Sequence, residues 1–243
     1  MHRQDGKHRI RFAALALIVA ASVSAQSVDE SSHDRFPGDA VDSRTLDTRR
    51  QVEELYSRGA FQRALLIYEK ELAPIGDKYA QYMVGYMHLA GQGVPKDSAT
   101  ALAWYRLAAE RGEPPLVKAR DALQRKLGPD ELARANDRFL ELWQQYGDRK
   151  LLLELIADDL AILRERNAST LSEPAPRASI VSGYFGSEGG EGFYERVRER
   201  LDRRMQYLES NRRLEDVGRL ADSRALQRLE SEIRQQVEAL NQR

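Results

Sequence analysis

Residues 80–112 read AQYMVGYMHLAGQGVPKDSATALAWYRLAAERG, and this stretch decides the fold. Two helices flank a glycine turn. The small residues Ala80, Gly85, Ala101, Ala108 and Ala109 let helices approach closely, and Val84, Trp104 and Tyr105 fill the space between them. The first helix is expected from about Asp77 to Leu89. Gly91-Gln92-Gly93-Val94 makes the turn, because glycine takes a positive φ at little cost. Pro95 stiffens the exit, and Asp97 or Ser98 can cap the second helix through a side-chain oxygen. That helix ends at Gly112.

The pattern resembles one complete Sel1-like repeat, a relative of the tetratricopeptide repeat. The matching positions are Gly85, Gly91, Gly93, Val94, Asp97, Ala101, Trp104, Tyr105, Ala108, Ala109 and Gly112. Two positions depart: His88 stands where the family usually has tyrosine, and Val84 where it usually has leucine. The resemblance implies stacked helix pairs that present a protein-binding surface. It also assigns structural roles to Gly85, Gly91, Gly93, Ala101, Trp104, Tyr105, Ala108, Ala109 and Gly112. Tyr79, Tyr82 and Tyr86 fall at i, i+3 and i+7, so they share one helix face. They are the candidate partner-binding residues if that face is the concave side, since large rigid aromatics dominate binding hot spots. On the other side of the balance, the same rings can pack against the preceding helix pair.

Working outward, Val52, Leu55 and Tyr56 form a stripe that ends at Gly59. Phe61, Ala64, Leu65 and Tyr68 form the next, stopped by Pro74 and Gly76. YSRGAFQRALLIYEKEL resembles a tetratricopeptide-type hairpin that starts the array. Beyond Gly112, Pro114-Pro115 opens a helix, but a second glycine turn never comes. Phe139, Leu142, Trp143 and Tyr146, then Leu152, Leu155, Ile156, Leu160 and Leu163, supply the apolar faces of a closing cap. Residues 45–166 are therefore read as a repeat domain with its cap. Residues 167–191 hold Pro174, Pro176 and GYFGSEGGEG, and read as a linker whose Tyr184, Phe185 and Phe193 make it stickier than most. Residues 192–243 read as a charged amphipathic helix or coiled coil, with a narrow stripe through Leu226, Leu229, Ile233, Val237 and Leu240. Such a stripe needs a surface to pack on, which the array, a second copy of the chain (a homo-oligomer) or another partner would supply, and the slack of the preceding segment favours an intermolecular contact. The expected architecture is all-α: a short α-solenoid, a helical cap and a long C-terminal helix.

At the other end, Arg3, Lys7, Arg9 and Arg11 precede an apolar run from Phe12 to Ala21, and Val23-Ser24-Ala25 offers small residues for a signal peptidase. Residues 1–25 read as a secretory signal, too short for a membrane span, with cleavage after Ala25. No other segment is long and apolar enough to cross a bilayer. Residues 26–44 are polar and read as a flexible leader. The net charge of zero becomes about −3 once residues 1–25 are removed, which gives no pull toward nucleic acid or anionic membrane. The chain has no cysteine, so disulfides, thiolate metal sites and a lipid-carrying cysteine are excluded.

Little in the chain points to catalysis. Only His33 and His88 follow the signal, too few for a metal cluster. His88 reads as a tyrosine substitute with its ring inward and its nitrogen at the rim. GYFGSEGGEGF lacks the lysine and hydroxyl residue of a nucleotide loop. Asp158 with Asp159, or Glu188 with Glu191, lack the fixed cross-cleft separation of a glycosidase pair. The reading is an exported, non-enzymatic scaffold for protein partners in a bacterial cell envelope, periplasmic or secreted, without cofactor or metal. The alternative is an accessory or catalytic component acting on envelope polysaccharide or peptidoglycan.

Overall fold

The computed structural model describes residues 42–169, 190–210 and 224–241, all helix or short connection with no strand among them. The expected signal, nearly all of the leader, the middle of the expected linker and its Tyr184 and Phe185 lie outside the described residues. The chain divides into two compact units between Gly147 and Asp148.

In the first unit, α1 (Ser43–Ser57) starts at Asp42, whose Oδ1 accepts the Thr45 N–H at 2.8 Å. The chain reverses at Gly59, φ +77°, into α2 (Phe61–Ile67). α2 continues through a π turn over Tyr68–Leu72 and a 3-10 turn over Ala73–Ile75. Ala64, Tyr68 and Leu72 are buried on the face toward its neighbours. Gly76, at φ +80°, ends that run.

Asp77 then caps α3 (Lys78–Ala90): Oδ1 accepts the Ala80 N–H at 2.9 Å, and Oδ2 accepts from Arg49 Nε at 2.6 Å. One carboxylate thus starts a helix and ties it to α1. α3 stops at Gly91, φ +71°, and Asp97 caps α4 (Ser98–Ala108) by accepting the Ala99 and Thr100 N–H groups at 3.0 and 3.2 Å. A 3-10 turn, Ala109–Arg111, carries α4 to Gly112. α5 (Pro114–Gln124) and α6 (Pro129–Tyr146) follow, each with proline in its first turn, where the missing N–H costs nothing. α4 packs closely on both α3 and α6.

Two glycines show how sequence sets this packing. A Cβ on Gly85 would sit 2.6 Å from Tyr105 Cδ1 and 3.0 Å from the Ala101 carbonyl oxygen, so only glycine lets α3 and α4 approach this closely. A Cβ on Gly93, φ +75°, would sit 2.7 Å from the backbone of Phe61 and Gln62, so the turn of the repeat rests directly on the start of α2. Gly112 has a similar φ of +80° but open space around it. Gly112→Ala is therefore expected to cost about 1 kcal/mol from backbone strain alone. Gly93→Ala, which adds a backbone clash, should cost roughly twice that or more. Denaturant midpoints of the two variants compare them directly. Equal losses would mean the turn is not seated on α2.

The second unit comprises α7 (Asp148–Ser169), α8 (Gly190–Ser210) and α9 (Arg224–Asn241). Leu152, Leu153, Ile156, Leu160 and Leu163 of α7 share a core with Val197, Leu201, Leu208 and Ile233. Asp159, 1% exposed, accepts from Arg200 Nε at 3.0 Å and from Arg204 Nη1 at 2.5 Å. Arg149 of α7 pairs with Glu230 of α9.

These contacts correct three expectations. The leucine-rich helix expected within a 45–166 repeat domain belongs to the second unit, because its apolar face meets α8 and α9. The C-terminal stripe, expected to favour an intermolecular contact, lies on α9, where Ile233 and Val237 find apolar surface within the second unit. Finally, the expected 167–191 linker is helical at both ends, through Ser169 and from Gly190.

Candidate functional site

Tyr79, Tyr82 and Tyr86 do share a face of α3, and that face is a seam. Tyr82 is 4% exposed and stacks on Tyr105 with ring centroids 5.0 Å apart and planes at 14°. Tyr79 meets Tyr68 of the preceding hairpin edge to face at 6.5 Å. Tyr86 is half-buried near Tyr56, whose hydroxyl donates to Gln92 Oε1 at 2.8 Å. Burial pushes the Tyr56 hydroxyl up to about 12 and raises Tyr68, Tyr79, Tyr82, Tyr86 and Tyr105 as well. All six stay neutral at physiological pH. The expectation of an open aromatic strip is thus corrected. Helical spacing groups the three rings, but it cannot tell a partner from the neighbouring hairpin. Tyr79 and Tyr86, like Tyr56 and Gln92, are half-buried, so the seam reaches solvent in part.

The repeat positions fall in the core. Ala101 and Ala108 are fully buried, Ala109 and Tyr105 are 4% exposed, and Trp104 is 1% exposed and stacks on Tyr146 at 5.6 Å. Gly91 and Gly112 end helices in the left-handed conformation.

Sequence reading missed a buried polar network between the hairpins. Lys78 Nζ donates to Gln81 Oε1 at 3.1 Å, the Leu107 carbonyl at 3.0 Å and Glu110 Oε2 at 3.1 Å. Glu110 Oε1 accepts from Trp143 Nε1 at 2.9 Å, and Gln81 Nε2 donates to the Ala73 carbonyl at 3.2 Å. The Lys78 and Glu110 side chains are 4% and 6% exposed. This network links α2, α3, α4 and α6. Nothing in the sequence marks it, since a lysine and a glutamate 32 positions apart look like two solvated charges.

His88 lies near the end of α3, and its Nδ1 is buried with no hydrogen-bond partner. His88 as a whole is half-buried, with Nδ1 on the inner side of the ring. Burial lowers the His88 pKa; nearby Asp97 and Glu69 raise it and Arg138 lowers it, with burial the largest effect. The folded chain thus favours neutral His88, while the unfolded chain takes up a proton near the ordinary value. Stability should be intact above about pH 6.5 and fall as the pH drops below it. His88→Gln should flatten this dependence between about pH 7 and pH 5 in thermal-melting series. Identical pH profiles would contradict a buried neutral His88.

Asp159 is held by Arg200 and Arg204, while Asp158 is exposed, so the two carboxylates do not face each other across a cleft. Among the described residues no group of three or more histidines and carboxylates is placed to hold a metal, and no helix is long and apolar enough to cross a membrane.

Residues 78–113 match the family model of the Sel1 repeat. The chain thus carries a Sel1 repeat, a tetratricopeptide-like helical hairpin, within described residues that are all-α. The match spans α3, the glycine turn, α4 and the close at Gly112, which is the hairpin whose packing Gly85 and Gly93 fix. No curated protein and no solved structure matches the chain. Sel1 repeats generally mediate protein–protein interaction and are typically not catalytic.

Proposed function

We propose that the protein is an exported, non-enzymatic scaffold of a bacterial cell envelope, acting in the periplasm or outside the cell by holding a protein partner on its repeat unit. The observation that carries this reading is the complete Sel1 hairpin, residues 78–113, seated between a preceding helix pair and two following helices. Export is supported by the basic head, the short apolar run and the small residues before Gln26. The buried network and the tyrosine seam favour a stiff platform. A pre-ordered surface loses little entropy on binding.

Two measurements test the reading. N-terminal sequencing of the exported protein should begin at Gln26; an intact Met1 on protein retained in the cytoplasm would sink the localisation. Cross-linking in intact cells should join the protein to a distinct polypeptide. Adducts formed only with polysaccharide would move the protein to glycan chemistry.

A further inference from the structure

Arg106 of α4 lies where α5 and α6 converge. Its Nη1 donates to Asn136 Oδ1 of α6, and its Nη2 donates to Gln124 Oε1, the last residue of α5, at 3.3 Å. Both acceptors are neutral amides, so this guanidinium is oriented from two sides without being neutralised. Arg106 is half-buried, and its pKa is lowered first by that burial and then by the nearby Arg120. Arg120 itself is held by its neighbour Asp121 at 2.8 Å. Gln124 and Asn136 are exposed, so the place is open to solvent.

A partly desolvated cation with neutral partners is costly, and the cost falls when an anion arrives. A guanidinium has five N–H donors, of which the two amides take two, leaving a carboxylate the forked geometry it favours. Other guanidiniums of the protein are already matched to carboxylates: Arg49 with Asp77, Arg149 with Glu230, and Arg200 and Arg204 with Asp159. Arg106 differs in being positioned by amides. We infer that Arg106, with Arg120 beside it, forms an anion site that receives a carboxylate of an acidic protein segment. The inference rests on the reading of the repeat unit as a protein-binding platform and supplies the chemistry of the contact.

The probe is fluorescently labelled hexaglutamate, titrated into the full mature chain at low salt and followed by anisotropy, with hexaglutamine as the uncharged control. Saturable binding is expected for hexaglutamate alone. Arg106→Gln should weaken it about tenfold, the scale of a charge-assisted hydrogen bond or two. Arg120→Gln should weaken it about threefold, and Arg63→Gln, an exposed charge on α2, by less than about twofold. Tryptophan fluorescence checks folding, and should Arg106→Gln unfold the chain, Arg120→Gln against Arg63→Gln decides. Equal losses for Arg63 and Arg106, or no binding at all, would overturn the site. Displacement of the peptide by inorganic phosphate at equal charge concentration would overturn its assignment to protein carboxylates. If Arg106→Gln abolishes peptide binding but leaves the cellular cross-link intact, the acidic-segment contact is wrong and the scaffold reading stands. Absence of any cross-link in the unaltered chain would instead remove the scaffold reading.

Discussion

Trp104→Ala is expected to destabilise the first unit by about 3–5 kcal/mol, the scale for truncating a fully buried large aromatic. Trp104 is 1% exposed and stacks on Tyr146, so it fills the space between α4 and α6. Its neighbours Ala101 and Ala108 are small and fully buried, and they have no reach to collapse into the space left behind. The assay is well isolated, because both tryptophans, Trp104 and Trp143, lie in the first unit. Loss of Trp143 fluorescence in denaturant therefore reports this unit without interference from α7–α9. A midpoint unchanged within error would mean that Trp104 does not fill the core.

Glu110→Ala should be nearly as damaging, at about 3–5 kcal/mol, because it leaves a buried lysine without its counter-charge. Lys78 would keep the Gln81 side chain and the Leu107 carbonyl, both uncharged, and the Trp143 indole N–H would lose its Glu110 acceptor. Replacing both partners with apolar residues, Lys78→Met with Glu110→Leu, should recover much of the loss, since neither charge then remains to be desolvated. The comparison uses urea midpoints of the two single variants and the double variant. A loss below about 1 kcal/mol for Glu110→Ala would place the pair in the class of solvated surface bridges.

The legible part of this fold was the part written in local spacing. Gly59, Gly76, Gly91 and Gly112 each occupy the positive-φ position that closes a helix, and a single residue type at a fixed offset signals that geometry. Asp97 was readable as a cap for the same reason. What could not be read was pairing across the chain. The leucines of α7 announce an apolar face, but their partners Val197, Leu201 and Ile233 lie tens of residues away, and helical periodicity does not say which stripe meets which. The tyrosines of α3 show the same limit on a smaller scale: i, i+3 and i+7 place them together, and only the position of Tyr68 and Tyr105 makes the face a seam. Charged residues hid most completely. Lys78, Glu110 and Arg106 carry no sequence mark that separates a buried or amide-held charge from a solvated one.

The central claim is that the folded repeat unit holds a protein partner, and reciprocal capture tests it most directly. The chain from Gln26 onward, immobilised and exposed to an envelope extract, should retain one polypeptide in near-stoichiometric amount. That polypeptide, immobilised in turn, should retain the chain. The Trp104→Ala chain, under conditions where Trp143 fluorescence shows its repeat unit unfolded, should retain none. The same polypeptides held equally by the folded and the unfolded chain, or failure of the reverse capture, would contradict the account.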